Sequence, residues 1–489
     1  MDEKAKHIHL SGICGTAMAS LAGLLQAKGC RVTGSDAAAY PPMSDQLREM
    51  GIPVAQPYAE ANLGLAAEGT VPDLVVIGNA LSRGNPEVER ALDERIPFTS
   101  MAAVLHDEFL KGRESLVVAG THGKTTTTSM LAWVFQTAAE KQPAFEPSFL
   151  VGGVAENFGS SYQLRPTRRF LIEGDEYDTA FFDKGPKFLH YFPDALILTS
   201  VEFDHADIYE DLEHVKTAFK RLVNLAPRRG LIVAYDASEN VSECVSKALC
   251  RVERYGFSEG ADWRIAELRH ETGHEGGRSL WKVMRKGELW AEFAMPVAGE
   301  HNVLNATAAA ALAAGQGVPV ERIVAALASF LSVKRRLEVC AVVDGVTIID
   351  DFAHHPTAIR ETLKALRQAY PLSVKGSRLW AVLEPRSNTL RRNVFEQELV
   401  ESLRLADRVI LAAVYQQGKI PEGERLHPEQ VVQALNGAGT PAMLGADVTV
   451  IVEEIAREAR PGDVVAILSN GGFDGIYEKL PARMKDREQ

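Results

Sequence analysis

Short apolar runs alternate along the chain with longer segments of helical periodicity, the pattern of parallel α/β architecture rather than of a bundle or a sandwich. The first segment opens with a strand-like run Ile8 to Leu10, a glycine-bearing turn Ser11 to Gly15, a helical pattern Met18 to Lys28 and a strand-like run Arg31 to Thr33, which together predict a βαβ unit. A buried-strand signal at Leu74 to Ile77 and a helical pattern near Pro86 to Glu94 continue the alternation. A second series starts at Ser115 to Ala119, passes a glycine turn into a helix carrying Thr126 to Thr137, and has strands at Phe170 to Ile172 and Ala195 to Thr199. Between about Tyr255 and Glu300 the period changes to two, at Trp281 to Met284 and Glu288 to Phe293, which predicts a β-meander appended to the central domain. Helical patterns at Val303 to Ala314 and Val320 to Leu331 precede a third α/β stretch, with strands expected at Val346 to Ile349, Leu379 to Leu383, Arg408 to Ala412 and Val464 to Leu468.

At 489 residues the chain exceeds one compact core, and roughly 150 residues per domain suggests three. The expected fold is α/β with a Rossmann-like domain at 1–112, a central P-loop mononucleotide-binding domain with added β-strands at 113–333, and a C-terminal Rossmann-like domain at 334–489. A composition of 46% apolar and 24% charged residues is that of an ordinary globular protein. The net charge of -12 leaves no general field for nucleic acid or an anionic membrane, so neither is an expected partner and any polyanion must be held locally. Five scattered cysteines without a CxxC pair suggest neither a disulfide framework nor a zinc site. The opening MDEKAKHIHLSG runs into a strand without a leader pattern, so an unprocessed cytoplasmic protein is expected. The Ala-rich stretch Ala306 to Ala314 is about half of the ~20 residues that span a bilayer.

Chemistry concentrates first at Gly120-Thr121-His122-Gly123-Lys124-Thr125-Thr126, between a strand and a helix. Backbone N–H groups at a helix start cradle phosphate, the lysine neutralises β/γ charge, and the threonine hydroxyl ligates Mg²⁺. The strict P-loop spacing puts glycine where Val118 stands, so this is a shortened variant. A nucleotide-bound Mg²⁺ also needs a carboxylate beyond a neighbouring strand, and Glu173 is so placed. The run Glu173 to Asp178 also fits a solvated acidic turn, and His205, beside Asp204 and Asp207, fits either a cation ligand or a structural histidine.

With Glu300-His301-Asn302-Val303-Leu304-Asn305, then Arg335-Arg336, then Asp350-Asp351-Phe352-Ala353-His354-His355-Pro356, the phosphate loop resembles the ordered motifs of the Mur ligases. These are ATP-dependent enzymes that extend peptidoglycan precursors, and the resemblance covers essentially the whole chain. Gly12 to Thr16, Gly78-Asn79-Ala80 with Arg83 to Pro86, Asp175 to Asp178 with Ala180 to Asp183, Glu384 to Thr389 and Ser469 to Gly472 resemble the recycling branch of the family. That branch joins UDP-N-acetylmuramate to the tripeptide L-alanyl-γ-D-glutamyl-meso-diaminopimelate; a sister branch takes L-alanine.

The resemblance implies Lys124 on the β/γ-phosphate, Thr125 and Glu173 on a first Mg²⁺, and His205 on a second. It implies His301 and Asn305 at adenine, Arg336 and Asp351 reaching phosphate and ribose on domain closure, and His354 near the reacting phosphate. Gly12, Gly15, Thr16, Ser35, Asp36 and Asn79 would receive the UDP-sugar, although a GxxG turn alone also fits a purely structural role. Arg386 with Ser387 and Asn388 is the expected contact for the peptide carboxylates, with a surface arginine as the other reading. No lysine is evident as a carbamylated metal bridge. Three positions depart from the family pattern: Ser200 where asparagine is common, Gly174 where alanine is usual, and Asp474 where glycine is usual.

The implied chemistry is attack of a muramoyl carboxylate on the γ-phosphate, giving an acyl phosphate that an amine then displaces. ATP and Mg²⁺ are the expected cofactors, the sugar nucleotide and tripeptide the expected small-molecule partners, and a monomer or weak homo-oligomer the expected assembly. Other classes remain open at this point: a P-loop ATPase or kinase, which would release phosphate without sugar nucleotide and amine, a dinucleotide oxidoreductase, for which Cys14 occupies the second glycine position, and a non-catalytic nucleotide-binding scaffold.

Overall fold

A computed structural model describes residues 5–39, 43–64, 71–273, 276–370, 372 and 376–486. The chain forms two compact units, one of Met1–Glu202, Leu212–Arg264 and Ala306–Ala326, the other of Phe203–Asp211, Ile265–Asn305 and Leu327–Gln489.

The first unit holds two α/β sheets. In the N-terminal one, five strands run in the order Val54–Ala55, Arg31–Ser35, His7–Ser11, Leu74–Ile77, Phe98–Ser100, all parallel. That is the half-Rossmann order expected of the opening βαβ pattern, and it sets the turns after His7–Ser11 and Leu74–Ile77 side by side at the carboxyl edge. In the central sheet Glu114–Ala119 lies between Ala195–Leu198 and Arg169–Gly174, both parallel to it. The phosphate loop and Glu173 therefore emerge at the same edge, where α/β sheets place their ligands. Beyond them run Leu231–Tyr235 and Arg251–Gly256 on one side and Ser148–Ala155 on the other, with antiparallel Ser160–Gln163 at the margin. The Gly174 departure has a packing reason: a Cβ there would stand 2.8 Å from Val117 Cγ1 and 3.2 Å from the Ala119 Cβ.

The second unit carries a six-stranded sheet in the order Glu338–Val343, Val346–Asp351, Val464–Leu468, Leu379–Leu383, Arg408–Ala412, Ala442–Gly445, antiparallel only at its first pair. Its strands read as unbroken apolar runs because both faces are covered. Ile349, Ala466 and Leu468 face a core with Leu363, Leu366 and Leu399, while Ile348, Val465 and Ile467 face one with Ile451, Ile455 and Ile476. The period-two segments expected near the central domain form an antiparallel ribbon, Arg278–Arg285 with Glu288–Met295. Through Trp263–Glu271 and Arg251–Gly256 the ribbon extends the ten-stranded central sheet, as the expected appended meander does, while Ile265–Asn305 groups with the second compact unit. Phe203–Asp211 joins the same unit because Asp204 accepts from Thr389 Oγ1 at 2.7 Å and Asp207 from Asn388 Nδ2 at 2.8 Å. Asp474 has φ 46 and ψ 35, the left-handed region that glycine enters freely and aspartate tolerates, which accounts for the usual glycine there. Among the described residues no helix is long and apolar enough to cross a membrane.

Candidate functional site

The phosphate loop is shaped by its two glycines and by the neighbouring strand end. Gly120 has φ +135, and a Cβ on it would lie 2.1 Å from Thr199 Oγ1; Gly123 has φ +81 and caps the helix Lys124–Ala139 without a side-chain hydrogen bond. The first amides of that helix are thus left uncapped by any side chain, as an anion site requires. Thr199 Oγ1 donates to the His122 carbonyl at 2.6 Å, and His122 N–H donates to Ser200 Oγ at 2.9 Å. Ser200, the serine found where relatives carry asparagine, is therefore a strut of the loop, a role that spacing alone did not suggest. Thr121 Oγ1 accepts from Glu202 N–H at 2.9 Å, tying the loop's other end to the same segment.

Lys124 and Glu176 form a buried ion pair, 8% and 3% exposed, with Nζ to the two carboxylate oxygens at 2.9 and 3.1 Å. Nζ also donates to the Gly120 carbonyl at 2.7 Å. Burial alone would lower the lysine pKa, but the charges of Glu176, Asp175 and Glu173 outweigh it and hold the pKa above its ordinary value. Thr125 Oγ1 donates to Glu173 Oε1 at 2.8 Å, and Gly152 N–H to Glu173 Oε2 at 2.7 Å. Burial, and next the charge of Asp175, raise the Glu173 carboxyl pKa. A hydroxyl and a carboxylate converging in an acid-rich pocket form an oxygen donor set that fits a hard divalent cation such as Mg²⁺. Thr126, 7% exposed, follows on the first helical turn.

His205 belongs to the second unit, with φ 55 and its Nε2 3.8 Å from Asp204 Oδ2. Burial would raise the Asp204 pKa, but His205, His354, His355 and the Thr389 hydroxyl hold it well below the carboxylate range. Burial lowers the His354 pKa, and its Nδ1–H donates to the Phe352 carbonyl at 2.8 Å, so that in the neutral ring the lone pair is on Nε2. His301 is likewise lowered by burial, and its Nδ1 is buried without a hydrogen-bond partner. Asn305, 6% exposed, lies one helical turn further on the same face.

Of the arginine pair, Arg335 is the anchor: with φ 61 it grips Asp350 at 2.8 Å, the Ser469 and Gly471 carbonyls, and the Tyr477 hydroxyl. Arg336 stays partly exposed, its guanidinium 5.2 Å from the centre of the Phe352 ring. Asp351 is 4% exposed and accepts from Leu337 N–H, Ala353 N–H and Thr362 Oγ1, so it ties Leu337 to Ala353 and Thr362. Arg386 stacks on Tyr415, its guanidinium 3.8 Å from the ring centre, with Nη1 3.4 Å from Glu384 Oε1. Ser387 Oγ donates to the His354 carbonyl, while Asn388 bridges Asp207 and Arg391.

In the N-terminal sheet, Gly12 has φ +87, and Gly15, Thr16 and Asn79 are exposed around it. Asp36 Oδ2 accepts from Cys14 N–H at 2.9 Å and so closes the glycine turn. Ser35 is fully buried and its hydroxyl donates to Glu87 at 2.6 Å.

Three family models match in order: the Mur ligase family catalytic domain at residues 7–111, the Mur ligase middle domain at 118–313 and the Mur ligase glutamate ligase domain at 335–471. The UDP-N-acetylmuramate–L-alanyl-γ-D-glutamyl-meso-2,6-diaminoheptandioate ligase of Escherichia coli K12 is 42% identical over 97% of this chain and 97% of its own. A UDP-N-acetylmuramate–L-alanine ligase of Acetivibrio thermocellus is 30% identical over 99% and 97%. Among solved structures, a murein peptide ligase from Psychrobacter arcticus superposes with a TM-score of 0.72 at 35% identity, covering 99% of both chains. With three α/β domains in family order and full-length relatives on both amine branches, this chain belongs to the Mur ligase family of ATP-dependent ligases.

Proposed function

We propose that the enzyme joins the lactyl carboxylate of UDP-N-acetylmuramate to the amino group of L-alanyl-γ-D-glutamyl-meso-diaminopimelate at the expense of ATP, in the cytoplasm and in cell-wall recycling. The observation that carries the reading is the convergence of Lys124, Thr125 and Glu173 behind an uncapped helix start, in a chain 42% identical to a ligase named for this tripeptide. The functional boundaries follow the expected domains, 1–112 for the sugar nucleotide, 113–333 for ATP and 334–489 for closure and the amine.

The substrate carboxylate oxygen attacks the γ-phosphorus, ADP leaves, and the acyl phosphate so formed is attacked by the peptide amine. The tetrahedral adduct loses inorganic phosphate and a proton, and the amide remains. Two anions meet in the first step, and Lys124 and Arg336 offset their repulsion. Mg²⁺, held by Thr125 and Glu173 and at a second position by His205, would supply further charge neutralisation when bound. His301 and Asn305 take adenine, the buried and unpaired Nδ1 of His301 being a polar atom that suits a base edge. Asp351 takes ribose, and His354, whose Nδ1–H is given to the Phe352 carbonyl, serves near the reacting phosphate through Nε2. Gly12, Gly15, Thr16, Asp36 and Asn79 receive the UDP-sugar.

Arg386 is assigned to the peptide carboxylates because stacking on Tyr415 presets its planar fork. A Cβ on Gly471 would fall 2.2 Å from Arg386 Nε, so Gly471→Ala must push the guanidinium off its seat. Steady-state kinetics are expected to show the tripeptide KM rising about tenfold with the KM for ATP unchanged, the loss of one charged hydrogen bond. An unchanged tripeptide KM would remove Arg386 from the peptide site.

The deciding assay supplies ATP, Mg²⁺ and UDP-N-acetylmuramate with either L-alanine or the tripeptide and follows phosphate release. Turnover is expected with the tripeptide. Turnover with L-alanine alone would transfer the enzyme to the sister branch, and release without either amine would make it a simple ATPase.

A further inference from the structure

One face of the first two strands breaks the rule that a sheet interior is apolar. His7, His9 and Ser11 alternate with Ile8 and Leu10, and across the parallel pairing Thr33 and Ser35 lie on the same face. All five polar residues are less than 9% exposed. Burying polar groups is unfavourable unless they are hydrogen-bonded, and these are bonded into one chain. It ends on Glu87, in the first turn of the helix Pro86–Asp93, itself 0% exposed.

The carboxylate fixes the direction of every proton in that chain. Glu87 Oε2 accepts from Ser11 Oγ at 2.5 Å and Ser35 Oγ at 2.6 Å, and Oε1 accepts from Asn62 Nδ2 at 2.7 Å. Since the Ser35 hydroxyl proton points at Glu87, the Ser35 oxygen must accept from His9 Nε2–H, 3.2 Å away. His9 Nδ1 then accepts from Thr33 Oγ1 at 2.9 Å, and Thr33 accepts from His7 Nε2–H at 2.9 Å. The three donors to the carboxylate, with His9 Nε2 3.5 Å from Oε2, hold the Glu87 pKa below its ordinary value against the opposing and larger single effect of burial.

The two serines that donate to Glu87 hold the sugar-nucleotide turns through their carbonyls. Gly12 N–H and Ile13 N–H donate to the Ser35 carbonyl at 2.8 and 3.1 Å, and Gly78 N–H donates to the Ser11 carbonyl at 2.9 Å. A single carboxylate thereby ties together the carboxyl ends of two strands, and with them the Gly12–Gly15 turn and the turn carrying Asn79.

We propose that Glu87, buried beneath both turns, is a positioning residue that sets the sugar-nucleotide site through Ser11 and Ser35. The proposal rests on the reading that this sheet binds the UDP-sugar. Glutamine cannot replace the carboxylate without cost. The three groups hydrogen-bonded to it are donors, so its amide NH₂ must face either the Asn62 NH₂ or the serine pair, and the latter choice forces the hydroxyl chain to reverse.

The test compares the full-length enzyme with its Glu87→Gln and Ser11→Ala variants by calorimetric titration of UDP-N-acetylmuramate, steady-state kinetics and thermal melting. For Glu87→Gln the Kd and KM of UDP-N-acetylmuramate are expected to rise about tenfold, with kcat at saturation within about twofold of the parent and the KM for ATP unchanged. Ser11→Ala, which removes one donor and keeps the charge, is expected to give a smaller rise in the same two constants. A lowered melting temperature with unchanged Kd and KM would make Glu87 a stability residue only and overturn the proposal. If Glu87→Gln fails to fold, an unchanged Kd in Ser11→Ala overturns it equally. Failure of the parent enzyme to bind UDP-N-acetylmuramate would instead overturn the assignment of the sheet.

Discussion

Lys124→Ala is expected to lower phosphate release by at least about a thousandfold while the affinity for UDP-N-acetylmuramate hardly changes. The sugar nucleotide is assigned to the turns around Gly12, on a different sheet of the same unit, so removing the lysine should leave that binding intact. The substitution has a second consequence. Lys124 is a buried partner of Glu176, and deleting one member of such a pair destabilises a fold by about 3–5 kcal/mol. An inactive Lys124→Ala enzyme would then be open to the objection that it had partly unfolded. The double variant Lys124→Met with Glu176→Gln removes both charges and keeps both shapes. It is expected to melt near the parent temperature and still to lack turnover. If the double variant recovers activity, Lys124 is a structural cation and the phosphate role passes elsewhere in the loop.

The same ion pair shows what a sequence conveys about a site and what it does not. Lys124, Thr125 and Glu173 were legible because each follows a strand whose buried residues read as an unbroken apolar run, and such runs end where parallel sheets put their ligands. For the same reason Leu74–Ile77, Leu379–Leu383, Arg408–Ala412 and Val464–Leu468 lie where hydrophobicity put them, residue for residue. Glu176 was less legible, since within Glu173 to Asp178 nothing local separates an acid that turns inward to a lysine from one that stays in water. Ser200 read only as a departure from the family pattern because its partner, the His122 amide, is distant in sequence. Arg335 and Arg336 are adjacent and chemically alike; the left-handed backbone at Arg335 sends its side chain to Asp350, and no periodicity signals that turn. The polar face of His7, His9 and Ser11 was visible in the letters, alternating with Ile8 and Leu10. Its meaning depended on Glu87, brought in from a helix beyond the next strand.

Glu173→Gln is expected to reduce turnover by about a hundredfold or more and to raise the Mg²⁺ concentration needed for half-maximal rate. Unlike the lysine variant, it should fold at least as well as the parent. Burial and the neighbouring Asp175 already disfavour the Glu173 charge, as its raised pKa records, so a neutral side chain of the same shape relieves the site. The carboxamide oxygen can accept from Gly152 N–H, and its NH₂ can donate to Thr125 Oγ1, whose hydroxyl is free to turn. The raised pKa has a kinetic counterpart in the parent enzyme. A carboxyl that holds its proton above the ordinary carboxylate range makes proton and Mg²⁺ competitors for one oxygen, so the Mg²⁺ requirement should climb as pH falls towards that raised pKa. Glutamine has no proton to lose, and the variant's residual activity should show no such climb. Mg²⁺ titrations at several pH values in both proteins test this directly. A Mg²⁺ requirement equal in the two, with the same pH dependence, would mean that the cation is held by other oxygens and that Glu173 serves only to brace Thr125.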